Sequence, residues 1–177
     1  MTKFFWTLLL IFLIPFTLTA KADNFSFQPD KTIDEVLNDQ MGSTTGMNEL
    51  NLGMEVNLRC IGALATFRNT LNPVSDLKMM NSLNLDIGNI FIMTGINYDK
   101  VTNNGQLSRS NWTAASLFDA MGPKIQDSLV PYQSHYEQLF NQANENNIAL
   151  QRYKSDMDTC KAVGSGYQKA LSSLPAE

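Results

Sequence analysis

The chain has 177 residues, 13 of them basic and 17 acidic, with a formal net charge of −4 at pH 7. That length suits one domain with a proper hydrophobic core. The acidic balance and the lack of a basic cluster argue against nucleic acid and anionic lipid as partners, because both require concentrated Lys and Arg.

The N-terminus has the three parts of an export signal. Lys3 supplies the positive start, Phe4 to Leu18 is an apolar run broken only by Thr7, Pro15 and Thr17, and Ala20-Lys21-Ala22 sets small residues at a cleavage site. The run is shorter than the roughly 20 residues that span a bilayer. The expectation is therefore a cleavable signal peptide over 1–22 and a single helical domain over 23–177, with no stable membrane insertion after cleavage. Cutting after Ala20 is the alternative. Losing Lys3 and Lys21 leaves 11 basic residues against 17 acidic ones, a net charge of −6. The single-lysine start and the Ala-Lys-Ala end fit a bacterial exported protein, periplasmic or secreted.

Taken in chain order, Asp23 to Lys31 reads as extended. Asp30 or Thr32 starts a short helix in which Ile33, Val36 and Leu37 share a face, and Gly42 to Gly46 ends it. From about Met47 to Leu71, Leu50, Met54, Leu58, Ile61 and Ala65 form one apolar stripe and Cys60, Leu64, Phe67 and Leu71 an adjoining one, as in a buried helix. Asn72-Pro73 stops it and opens the next, since proline at a first helical position costs no hydrogen bond. Leu77, Met80, Leu83, Ile87, Ile90 and Phe91 carry that helix to about Thr94, although Ile87 to Ile96 also suits a strand. Gly95 to Ser108 reads as a long loop. Ser108 or Ser110 then caps a short helix carrying Trp112, Ala115, Phe118 and Met121, which Gly122-Pro123 terminates.

The last third is the most regular. Ile125, Leu129, Tyr132, Tyr136, Leu139, Ala143, Asn146, Leu150, Tyr153, Met157 and Cys160 alternate spacings of four and three. One helix over that span is about 55 Å long at 1.5 Å per residue. Pro131 is expected to kink its first turns, and Gly164-Ser165-Gly166 to stop it before a short terminal segment through Leu174. The expected fold is all-α, a bundle of four or five helices with one long C-terminal helix.

Cys60 and Cys160 are the only cysteines. An even count in an exported chain predicts a disulfide, here stapling the long helix to the helix of the apolar stripes. The chain-entropy model assigns a crosslink of that span about 4.7 kcal/mol. No CxxC pair is present, so a thioredoxin-like redox role has no support.

The remaining motifs carry little chemistry. His135 is the only histidine; without companions it makes no metal site, and it reads as a half-exposed helix residue. Asp34, Glu35 and Asp39 share one short helix, and Asp156 and Asp158 lie near Cys160. Carboxylates alone can cleave glycans, yet Glu35, Glu49, Glu55, Glu137 and Glu145 fall between apolar positions, as on solvated faces. Asp99 to Gly105 lacks the alternating ligands of a calcium loop. Tyr132, Tyr136 and Tyr153, with nearby Phe140, read either as bundle core or as an interaction surface, since aromatic anchors are favoured in interfaces. Asn146 interrupts their stripe as a register-fixing residue would. Asn24-Phe25-Ser26 and Asn111-Trp112-Thr113 match the glycosylation sequon.

These observations predict no catalytic residues, cofactor or metal. They point to a non-enzymatic exported protein of the bacterial cell envelope whose partner is another envelope protein: an accessory subunit of a surface or secretion assembly, an inhibitor or a chaperone, with self-association open. The alternatives are a periplasmic carrier of a small apolar ligand and a glycan-cleaving enzyme using a lone carboxylate.

Overall fold

The computed structural model of the chain describes residues 30–40, 47–102, 104–105, 113–143 and 147–173. The leader, both sequons' asparagines, the Gly42–Gly46 break, Ser108, Ser110, Trp112, Glu145 and Asn146 lie outside the described residues. Among those described, all regular structure is helical: α1 (Ile33–Gln40), α2 (Met47–Asn69), α3 (Leu77–Thr102), α4 (Ala114–Ala143) and α5 (Asn147–Ser172). The all-α bundle with a disulfide staple is the observed fold. Helix α2 is its axis and packs against each of the other four. This explains why both of its apolar stripes are needed: Met54, Leu58, Ile61, Leu64 and Cys60 are all buried.

Local chemistry sets the helix starts. Thr32 caps α1, its hydroxyl accepting from Glu35 N (3.3 Å) while the Glu35 carboxylate accepts from Thr32 N (2.7 Å), a reciprocal pairing that satisfies two orphan donors. Thr113 caps α4 in the same manner, accepting from Ser116 N at 3.1 Å. Between α2 and α3, the Asn72 side chain accepts from Val74 N (2.8 Å) and the Asp76 carboxylate accepts from Asn72 N (2.9 Å). Asn72 therefore organises a turn through Pro73, and α3 proper begins at Leu77, four residues past the expected proline start.

Three boundaries differ from expectation. First, the continuous helix over Ile125 to Cys160 is two helices, α4 and α5, packed side by side. Tyr136 Oη donates to Asp156 Oδ2 at 2.7 Å, whereas 20 positions along one straight helix would separate them by about 30 Å. The stripe survives the reversal because both helices turn their apolar faces to the same core, so its spacing holds across Asn144, Asn146 and Asn147. Second, α4 runs through Gly122-Pro123 and Pro131. Both rings point to solvent, and the carbonyls they leave unbonded belong to the exposed Asp119 and Asp127, where water satisfies them. Third, the expected loop from Gly95 is helical as far as Thr102, and the expected stop at Gly164-Ser165-Gly166 lies within α5. Asn97, Tyr98 and Asp99 are buried there, and Asn104-Gly105, with φ of 53° and 70°, forms the turn that the Asn-Gly pair suggests. Ile87 to Ile96 is helix, not strand.

Gly62 and Gly164 permit close approaches between helices. A Cβ on Gly62 of α2 would lie 3.2 Å from the Tyr132 carbonyl of α4, and one on Gly164 of α5 would lie 2.8 Å from Cβ of Asp86 on α3. The disulfide joins Cys60 of α2 to Cys160 of α5 with Cα atoms 5.0 Å apart, inside the range a disulfide needs. Both cysteines are fully buried.

Candidate functional site

The feature that sets this core apart is charge. Arg59, in the middle of α2, is wholly buried, and Glu55 one turn earlier and Asp156 on α5 are nearly so. Arg59 Nε donates to Glu55 Oε1 at 2.7 Å, and Arg59 Nη1 donates to the Lys31 carbonyl at 2.7 Å. Tyr132 Oη donates to Glu55 Oε2. Asp156 Oδ1 accepts from the Ile33 amide and Oδ2 from Tyr136 Oη, each at 2.7 Å. All four carboxylate oxygens of Glu55 and Asp156 thus hold a donor. Burial raises the Asp156 carboxyl above the ordinary aspartate value; the Ile33 amide, the Tyr136 hydroxyl, Arg59 and Arg152 oppose that shift. The phenols of Tyr132 and Tyr136 are pushed upward, first by burial and then by the carboxylate each one faces, so both stay protonated donors.

Burying a charge is costly unless it is paired and hydrogen-bonded. Here one guanidinium serves Glu55 directly and lends its field to Asp156, while two tyrosines and two main-chain groups from the Lys31–Ile33 segment complete the set. Three helices and the start of α1 therefore meet at one polar centre inside an apolar bundle. Each of the four carboxylate oxygens accepts a donor there, so the centre ties α2, α4 and α5 to the start of α1.

The aromatic residues foreseen as core or interface lie in the interior. Tyr132, Tyr136 and Tyr153 are buried, and Tyr153 Oη donates to the Ala63 carbonyl of α2 at 3.0 Å. Phe140 is half-buried with its ring edge-on to Tyr153 at 5.4 Å. The three tyrosines thus face inward with their hydroxyls bonded within the bundle, while Phe140 stands at its edge. His135 is half-buried and edge-on to Tyr136 at 5.1 Å; burial, Arg59 and Arg152 hold its imidazole below the ordinary histidine value.

The carboxylates divide. Glu35, Glu49, Glu137, Asp39 and Asp158 are exposed. Asp39 pairs with Lys31 at 2.5 Å, and Asp34 accepts from Thr159 (2.9 Å) and Ser155 (3.3 Å) across the α1–α5 seam. Glu55 departs from its expected solvated face: α2 has neighbours on every side, so no solvated face remains at that level. Arg59 is the central residue that the sequence reading passed over. Its signal was present, a Glu-Arg pair four positions apart within an otherwise apolar run.

The outer surface has a complementary anomaly. Val74 is 86% exposed, Leu77 57% and Met79 50%, all at the α2–α3 corner, and Leu85 two turns further on is 43% exposed. Among the described residues, no group of three or more His, Cys, Asp or Glu side chains is placed to hold a metal ion, and no helix is long and apolar enough to cross a membrane. Compared with known proteins, the chain matches no family model, and no curated protein and no solved structure is significantly similar to it. The class is thus defined by its own geometry, a disulfide-stapled helical bundle with a paired charge centre inside and an apolar corner outside.

Proposed function

We propose that the chain is exported and works in the bacterial cell envelope as a non-enzymatic interaction protein that binds another envelope protein. The observation that carries this reading is the apolar corner of Val74, Leu77 and Met79. Large apolar side chains exposed singly are ordinary, but Val74, Leu77 and Met79 fall within six consecutive residues and each is at least half exposed, a concentration that supports a contact surface. Support for a non-enzymatic role comes from the acid–base groups: Glu55 and Asp156 have all their oxygens occupied. The staple buried between α2 and α5 suits an oxidising compartment outside the cytoplasm. An accessory subunit, an inhibitor or a chaperone would each use such a corner.

The test is co-purification from intact envelope fractions with the wild-type chain and with Val74→Asp/Leu77→Glu. The proposal expects a protein recovered with wild type and reduced at least tenfold with the variant, at an unchanged melting temperature. Recovery of the wild-type chain alone, or equal recovery with the variant, overturns it.

A further inference from the structure

Helix α1 is attached unlike the other four. It has eight residues, packs only against α2 and α5, and contributes Ile33 and Val36 to the interior with Leu37 at its edge. An isolated helix of that length is well below the roughly 12–15 residues at which helices become marginal in water, so α1 depends on its seat. The seat outlasts it: α2 and α5 are joined by the Cys60–Cys160 bond and by the Tyr153–Ala63 and Tyr167–Asn57 hydrogen bonds, none of which involves α1.

How α1 is gripped says what the seat recognises. Arg59 and Asp156, the two buried charges beneath it, bind main-chain atoms: the Lys31 carbonyl and the Ile33 amide. The Ile33 amide is one of the free N–H groups that any helix start offers, and the positive dipole end there favours a carboxylate; the Lys31 carbonyl lies two residues before α1. Side-chain selection comes from the flanks, where Ile33 and Val36 are buried and the Thr159 and Ser155 hydroxyls donate to Asp34.

We propose that α1 is an exchangeable occupant, and that the α2–α5 groove beneath it is a receptor for the first turn of a partner protein's helix. That helix opens with a hydroxyl cap, follows it with a β-branched residue and an acidic residue, and carries a second apolar residue three positions after the first. The idea rests on the reading of the chain as an interaction protein, but on a different face from the Val74 corner.

The experiment loosens the resident segment in the full chain with Ile33→Glu and measures binding of a fluorescent peptide of residues 30–40 by anisotropy. Saturable binding at least tenfold tighter than to wild type, whose own α1 competes, is expected. The same peptide carrying Ile33→Glu or Asp34→Lys should lose at least tenfold. Hydrogen exchange of the wild-type chain supplies the second readout: α1 amides should exchange at least tenfold faster than those of α2 flanking Cys60. Absence of peptide binding to a folded Ile33→Glu chain, failure of that chain to fold, or α1 amides as protected as those of α2 each overturn the proposal. Adding Leu77→Glu should leave peptide binding unchanged, so loss of the envelope partner and loss of the peptide are separate results.

Discussion

The middle of α2 and the start of α3 invert the usual partition in opposite senses. At Arg59 and Glu55, charge lies inside the bundle; at Val74, Leu77 and Met79, apolar surface lies outside. The interior case is self-contained, since each charged atom with a hydrogen bond described above finds its partner within the chain. The exterior case is incomplete, since the apolar corner meets water. One region is thus satisfied within the folded chain, and the other leaves apolar side chains in contact with water. A buried polar group is informative about structure until its partners are counted, whereas an exposed apolar cluster is informative about association.

The largest expected effect breaks the interior region. Arg59→Met leaves Glu55 and Asp156 buried without their cation and the Lys31 carbonyl without its donor, and should cost about 3–5 kcal/mol in urea unfolding. Removing the staple with Cys60→Ala/Cys160→Ala should cost about 2–4 kcal/mol by the same measurement, while far-UV circular dichroism stays helical because the core is unchanged. Tyr136→Phe takes one donor from a buried carboxylate and should cost about 1.5–3 kcal/mol, the range for a hydrogen bond to a charged group.

His135 supplies a smaller, pH-dependent contrast. Its imidazole is held below 6.5 in the fold by burial first and then by Arg59 and Arg152, so the unfolded chain takes up the proton more readily. The stability this group contributes is complete above about pH 6.5 and is lost as pH falls through its lowered folded value. Asp156 has the opposite sign: its carboxyl is raised above 3.8, so protonation at lower pH favours the fold. The wild-type chain should therefore lose more stability than His135→Gln between pH 7 and pH 5, and equal slopes for the two would remove histidine from the account. At the exterior, Leu77→Glu should change stability by no more than about 0.5 kcal/mol, as surface substitutions usually do, and should raise solubility on concentration. A large loss of stability there would mean that the corner is core.

Much of the fold was legible from periodicity and capping. Thr32 was one of the two expected starts of α1, the paired stripes of Met47 to Leu71 gave a wide apolar face as in a buried helix, and Cys60 and Cys160 both sat on apolar stripes. The division into α4 and α5 was hidden because both helices turn their apolar residues to one core, so the stripe's spacing in the sequence continues from one helix into the next. Pro123 misled because its ring and the Asp119 residue whose carbonyl it frees both lie on the exposed side of α4, where the lost hydrogen bond costs least, and Gly95 because a glycine packed against Leu117 reads in sequence like one in a loop. The polar centre was less legible. Spacing placed Tyr132, Tyr136 and Tyr153 on one line, but whether that line faced inward depended on what lay opposite. The opposite residues, Glu55 and Arg59, are 77 positions from Tyr132 and Tyr136 respectively, beyond the reach of local patterning. Glu55 was assigned to solvent by a rule that supposes a helix has an outside, and α2 at that level has none.

The account turns on the claim that the buried charges exist to satisfy one another. A double-mutant cycle on Arg59 and Glu55 tests it directly, comparing Arg59→Met, Glu55→Met and the double variant by urea unfolding. Mutual compensation predicts that the double variant loses less than the sum of the two single losses by at least about 1 kcal/mol, within the range seen for coupled neighbours. Losses that simply add would contradict it, because each charge would then be held by something other than its partner.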